Sequence, residues 1–139
     1  MQAGFLNKIK LFDSLDKFQK LRLIDGLQHI DLHKNEFVLK EGDEGKEFFI
    51  IEKGDVDCLK LHKVGNKSGF VLVRSLNSGD HFGELALIKK EKRSLSIRVK
   101  SDECKLLKLD KETFTRILGS IENQLKMDYD KEFDEKMDQ

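Results

Sequence analysis

Hydrophobic residues along this chain keep a helical period at its two ends and a strand period in its middle. Phe18, Leu21 and Ile24, with Leu23 and Leu27 beside them, lie on one face of a 3.6-residue repeat. Ser14 stands where an N-cap belongs, Asp16 falls in the first turn where negative charge suits the helix dipole, and Gly26 marks the end. Ahead of this helix, Phe5, Leu6, Ile9, Leu11 and Phe12 form a short apolar segment, expected to pack on the domain as a helix or turn.

From His29 the pattern changes to short strands punctuated by turn residues. Ile30–Leu32 and Phe37–Leu39 read as strands with Lys34-Asn35 turning between them, and Glu41-Gly42-Asp43-Glu44-Gly45 reads as a tight loop. Phe48–Ile51 is continuously apolar, the signature of a strand buried on both faces. Gly54-Asp55 turns into Val56–His62, a loop is expected over 65–69, and Phe70–Leu76 is the next strand. Ser94–Lys100 and Cys104–Leu109 complete the series. Regular short strands with turns every 8–12 residues predict a sandwich or jelly roll.

After Asp110 the helical period returns through Phe114, Ile117, Leu118, Ile121 and Leu125. Gly119-Ser120 interrupts it, and a mid-helix glycine costs ~1 kcal/mol against alanine, so a bend is expected there. Beyond it Tyr129, Phe133 and Met137 continue the stripe against a strongly charged opposite face. So polar a helix does not belong inside a core; it lies along the domain or moves. The resulting expectation is one α+β domain over residues 1–139. It comprises a leading helical segment over 1–27, an antiparallel β-roll (jelly roll) over 28–110 carrying a short helix, and two closing helices over 111–139.

Composition narrows the function. Charged residues make up 37 % of the 139, yet 26 Lys and Arg balance 26 Asp and Glu. Neither a nucleic-acid partner nor a membrane surface is expected, since both favour a basic excess. No apolar run approaches the roughly 20 residues of a membrane span, and the N-terminus lacks a signal-peptide pattern, so a cytoplasmic location is expected. Cys58 and Cys104 lack the spacing of a zinc or redox pair and read as buried, reduced thiols. His29, His33, His62 and His81 show no H-x-H spacing, and only His81 with Glu84 approaches a ligand pair. No metal, no other cofactor and no nucleophilic constellation is expected, so the chain reads as a binding module and not an enzyme.

The chemistry concentrates in Phe82–Ser96, FGELALIKKEKRSLS. Gly83 lets backbone approach a ligand closely. The run from Glu84 to Leu87 is long enough for one helical turn, whose first N–H groups lack intrahelical partners and suit a phosphate. Arg93 carries a fixed fork of donors for phosphate oxygens, whereas ionised Glu84 can only accept, which suits sugar hydroxyls. The physical reading is a site for a small anion carrying a sugar.

This stretch resembles the phosphate-binding cassette of cyclic-nucleotide-binding domains, most closely the second, C-terminal one in regulatory subunits of cAMP-dependent protein kinase. The block Glu41–Asp55, with its E-G-x-x-G and apolar strand, and the segment Leu109–Gly119 match the same family. Lys92 stands where the family usually has proline, and Ser94-Leu95 where it has two alanines. The resemblance implies that Glu84 holds the ribose 2′-hydroxyl, that backbone amides from Gly83 through Leu85 to Ala86 hold phosphate oxygens, that Arg93 neutralises the phosphate, and that Phe82, Ser94 and Leu95 belong to the same ligand site. It implies an Asp57–Arg93 pair, a Leu87–Ile88 link from cassette to hinge, and a ring of Tyr129 or Phe133 over the base. A solvated Asp57, and aromatics that simply pack on the roll, are the plainer alternatives. The Glu41–Asp55 block is expected to shape the fold and contact little ligand.

The implied ligand is cAMP and the implied partner a protein kinase catalytic subunit, released when the nucleotide binds. In cGMP-dependent kinases a threonine follows the cassette arginine, and Ser94 occupies that position here, so cGMP is the alternative. A metal-dependent cupin would need a histidine cluster, and a catabolite-activator type regulator would need a helix-turn-helix after the long helix. Retention of both Glu84 and Arg93 argues against a domain that has kept the fold and lost the ligand.

Overall fold

The structure, a computed structural model, describes Asp13, residues 15–83 and residues 92–118. Helix α1 (Lys17–Gly26) leads into β1 (Gln28–His33), β2 (Phe37–Leu39), β3 (Glu47–Lys53), β4 (Asp55–Val64), β5 (Lys67–Asn77), β6 (His81–Phe82), β7 (Ser96–Val99) and β8 (Glu103–Asp110), with α2 (Lys111–Leu118) following. The described strands form two four-stranded antiparallel sheets, ordered β1-β8-β3-β6 and β2-β7-β4-β5. This is the expected β-roll.

The core lies between the sheets. Phe49, Ile51 and Phe82 of one sheet meet Val56, Cys58, Ile97 and Val99 of the other, all 5 % exposed or less. Phe49 and Phe82 stack at 5.2 Å, and since side chains alternate along β3, Phe48 and Ile50 face the opposite way. There Phe48 meets Phe114 of α2 at 5.2 Å. All four residues of Phe48–Ile51 are buried, as the unbroken apolar run predicts.

Three local expectations change. Asp16, not Ser14, caps α1: its carboxylate accepts from Gln19 N at 2.8 Å and the Gln19 side chain accepts from Asp16 N at 2.9 Å, a reciprocal capping box. The loop expected over 65–69 narrows to Gly65-Asn66, because Lys67, Ser68 and Gly69 pair with Val64, Lys63 and His62. His81–Phe82, too short to show a period, is a strand pairing with Ile50 and Phe49. Asp110 ends β8 immediately before α2 and accepts from Thr113 N at 2.7 Å, and that hydrogen bond draws its carboxyl below the usual range. The expected N-terminal segment, the bend at Gly119 and the last helix lie outside the described residues.

Gly54, at φ +102°, makes the turn between β3 and β4. A Cβ there would sit 2.6 Å from Glu103 O and 2.7 Å from Ser101 Oγ. Gly54→Ala is therefore expected to cost about 1–3 kcal/mol through strain and overpacking, read as a lower urea midpoint. A midpoint equal to that of the parent protein would contradict this geometry.

Both cysteines are buried free thiols, and burial pushes Cys104 up to about 11. Iodoacetamide at pH 8 is expected to leave Cys104 unlabelled in the folded protein, because the thiolate is the nucleophile. Labelling at the rate of an exposed thiol would contradict that placement.

Candidate functional site

Arg93 is almost wholly buried, 6 % exposed. Its Nη1 donates to Gly83 O and its Nη2 to Glu47 O, each at 2.6 Å. The guanidinium thus ties the end of β6 to the start of β3, closing the two ends of the candidate cassette on each other. Only the planar fork of arginine reaches two carbonyls in fixed directions. Gly83 is required at this clasp: at φ +92°, a Cβ on it would lie 3.0 Å from both Arg93 Nη1 and Glu47 O.

The Arg93 backbone is held by the Glu41–Gly45 loop. Gly42 N donates to Arg93 O at 2.8 Å and Arg93 N donates to Asp43 O at 2.7 Å, while Glu44 bridges Lys92. Next to it, Glu41 N donates to Ser96 Oγ at 2.9 Å. The Glu41 carboxylate accepts from Leu61 N at 3.1 Å and from Lys60 Nζ at 3.2 Å, and these donors lower its pKa. Lys60 Nζ also reaches Ser94 O at 3.4 Å. The loop read from sequence as shaping the fold therefore positions the arginine as well. Spacing alone gave no sign of this, since the contact joins residues about fifty positions apart.

A pocket opens at this clasp. Gly83, Lys92, Arg93 and Ser94 line it on one side, and Leu39, Cys58, Phe82, Leu95 and Ile97 give it an apolar wall. Arg74 of β5, register partner of Cys58, adds a second guanidinium. Arg74 escaped the sequence reading because it sits in a strand far from the motif; an arginine interrupting an otherwise apolar strand was the available signal.

The other predicted residues fall into three groups. Phe82 is a core side chain stacked on Phe49, Leu95 is half-buried against the core, and Ser94 is exposed at the pocket rim. Asp57 is not paired with Arg93: it accepts from Ser75 Oγ at 2.7 Å across the β4–β5 ladder, while the arginine is turned to the two carbonyls. Glu84, Leu85, Ala86, Leu87, Ile88, Tyr129 and Phe133 lie outside the described residues. No group of three or more His, Cys, Asp and Glu fit to hold a metal occurs among the described residues.

Arg93 is thus a buried arginine clasping the glycine of an F-G-E run inside a β-roll. Residues 29–120 match the family model described as the cyclic nucleotide-binding domain. The chain belongs to the cyclic nucleotide-binding domain family. Among curated relatives, this domain is 34 % identical over 134 residues to the cAMP-dependent protein kinase regulatory subunit of Blastocladiella emersonii, covering 94 % of this chain and 32 % of that one. It is 35 % identical over 120 residues to the namesake of Schizosaccharomyces pombe, covering 86 % and 27 %. The chain thus spans about a third or less of the length of these relatives.

Solved structures agree. The regulatory domain of Toxoplasma gondii PKA with cAMP superposes at a TM-score of 0.81, 26 % identical, over 93 % of this chain and 48 % of that one. A second domain of a PKA regulatory subunit, bound to Sp-2Cl-cAMPS, gives 0.79 at 28 % identity, over 96 % and 86 %. The regulatory subunit of a cAMP-independent protein kinase A from Trypanosoma brucei gives 0.79 at 27 %, over 89 % and 44 %. A cyclic nucleotide-binding domain is a sensor module, not an enzyme, and its small molecule is a ligand rather than a cofactor. Among the described residues no helix is long and apolar enough to cross a membrane.

Proposed function

We propose that this domain binds cAMP as the sensor of a protein kinase regulatory subunit, and that binding relieves inhibition of a catalytic subunit. The observation that carries the reading is the Arg93 clasp, which sets a buried guanidinium at the mouth of the pocket. A cyclic phosphate brings one negative charge to that fork, and a charge-assisted bidentate contact is the strong kind. Glu84 takes the ribose 2′-hydroxyl, amides from Gly83 to Ala86 take the exocyclic oxygens, and Tyr129 or Phe133 covers the base. Leu87 and Ile88 pass the movement of the cassette to the closing helices. A ligand shifts such an equilibrium only by its differential affinity for the two states, so cover by the last helix must form in the bound state. The regulatory-subunit relatives support the kinase partner, and a cytoplasmic place of action accompanies it.

A second reading, cGMP, has specific support in Ser94 and Arg74, which line the same pocket. A hydroxyl accepts from a guanine 2-amino group, and an arginine fork matches guanine O6 and N7. The regulatory subunits of cAMP-dependent kinases among the relatives weigh towards cAMP. Calorimetric titration with cAMP and cGMP side by side decides the matter: tighter cAMP supports the first reading, and tighter cGMP overturns it. Ser94→Ala is expected to weaken cGMP by ~1 kcal/mol, one hydrogen bond, and to leave cAMP unchanged. An equal effect on both would remove Ser94 from base choice. Glu84→Gln is expected to weaken cAMP but hardly 2′-deoxy-cAMP; equal losses would place Glu84 away from the sugar.

A further inference from the structure

Of the eight large hydrophobic residues exposed on the described surface, six lie on one hairpin: Leu61 37 %, Val64 65 %, Phe70 45 %, Val71 51 %, Leu72 56 % and Val73 51 %. β5 pairs with β4 from Lys67 to Asn77, with a bulge that leaves Val73 without a register partner, but β7 covers only Val56–Leu59 of β4. From Lys60 and Val71 outward the hairpin is a two-stranded ribbon among the described strands, and β5 is an outer strand of its sheet. Phe70–Val73 are consecutive, so apolar side chains leave this strand on both faces, the half-exposed Phe70 ring meeting Phe37 of β2 at 5.8 Å on one of them. A two-stranded ribbon is marginal in water, and a long apolar edge without proline is a template for another strand. The charge is one-sided too. Residues 58–79 carry four Lys and Arg and no Asp or Glu, in a chain whose totals balance at 26 each. Lys60 is engaged by Glu41, while Lys63 and Lys67 stand exposed at the ribbon tip.

We propose that the outer edge of β5 docks an extended, acidic segment of a partner protein as an added strand. Main-chain hydrogen bonds hold it, its alternate apolar side chains cover Phe70–Val73, and its carboxylates meet Lys63 and Lys67. A second copy is the less suitable occupant, because edge-to-edge pairing of two β5 strands brings like charges together.

The test uses the whole chain and a fluorescein-labelled octapeptide alternating glutamate with valine, read by anisotropy and by amide NMR shifts. Binding with shifts centred on Phe70–Arg74 is expected. It should weaken by about tenfold or more for a lysine–valine peptide and for the Lys63→Glu/Lys67→Glu double variant, which lose the charge match. N-methylation at alternate residues of the acidic peptide should abolish it. The proposal is overturned by absence of binding, by equal binding of the lysine peptide, by indifference to N-methylation, or by concentration-dependent dimerisation through β5 without peptide.

Discussion

Arg93→Lys is expected to lose much of the about 2–5 kcal/mol of cyclic nucleotide binding that truncating one partner of a buried charge pair costs. Charge is conserved in this substitution, so charge is not what it tests. The guanidinium spans Gly83 O and Glu47 O with two different nitrogens, each at 2.6 Å. An ammonium is a single point and cannot keep both contacts while meeting a phosphate. One carbonyl would be left without its donor, which costs about 1–3 kcal/mol of folding stability where the group is buried. Two losses are therefore expected together, a weaker titration with cAMP and a lower denaturation midpoint without nucleotide. Because Gly83 and Glu47 are joined through this side chain, loosening the clasp also blurs the geometry of the cassette's first residues. Binding of cAMP within twofold of the parent protein would remove Arg93 from the phosphate site.

What could be read in advance followed the range of the interactions. Phe48–Ile51 announced a strand buried on both faces because burial of consecutive residues leaves a local trace in composition. The sheet partners left none: β3 lies between β8 and β6, a register that unites Phe49 with both Lys108 and Phe82. The Asx cap shows the limit at short range. Ser14 and Asp16 are both good caps by residue type, and the choice fell to Gln19, whose side-chain oxygen accepts in return from Asp16 N. At the site, Arg93 and Gly83 stood out through their motif, but the Gly42 and Asp43 hydrogen bonds that hold Arg93 did not. Asp57 shows the converse. An acid in the expected place on β4 is spent on Ser75, because the β4–β5 register sets that hydroxyl directly opposite.

Phe48→Ala is expected to lower folding stability by about 3–5 kcal/mol, as for other large aromatic truncations in cores. Phe48 is completely buried, opposite Leu109 in the β3–β8 ladder, with rings of Phe114 and His81 at 5.2 and 5.6 Å. It is the ring through which β3 meets α2, so the cavity left behind lies between sheet and helix and closes poorly. Against a typical domain stability of roughly 5–15 kcal/mol, much of the margin disappears. The pocket, however, is on the other side of the strand: Phe49, not Phe48, stacks on Phe82, which lines it. Nucleotide at a hundred times its dissociation constant adds about 2.7 kcal/mol to any protein whose folded state alone binds it. The variant should therefore unfold at a much lower urea concentration and yet gain the same increment from saturating cAMP as the parent protein. Phe48→Leu should recover most of the loss, since it refills the volume between β3 and α2. Two results would contradict this: a stability loss near zero, or an increment from cAMP that vanishes while the variant remains folded. The second would mean that the helix side of β3 and the nucleotide side act as one cooperative unit, with Phe48 transmitting between them.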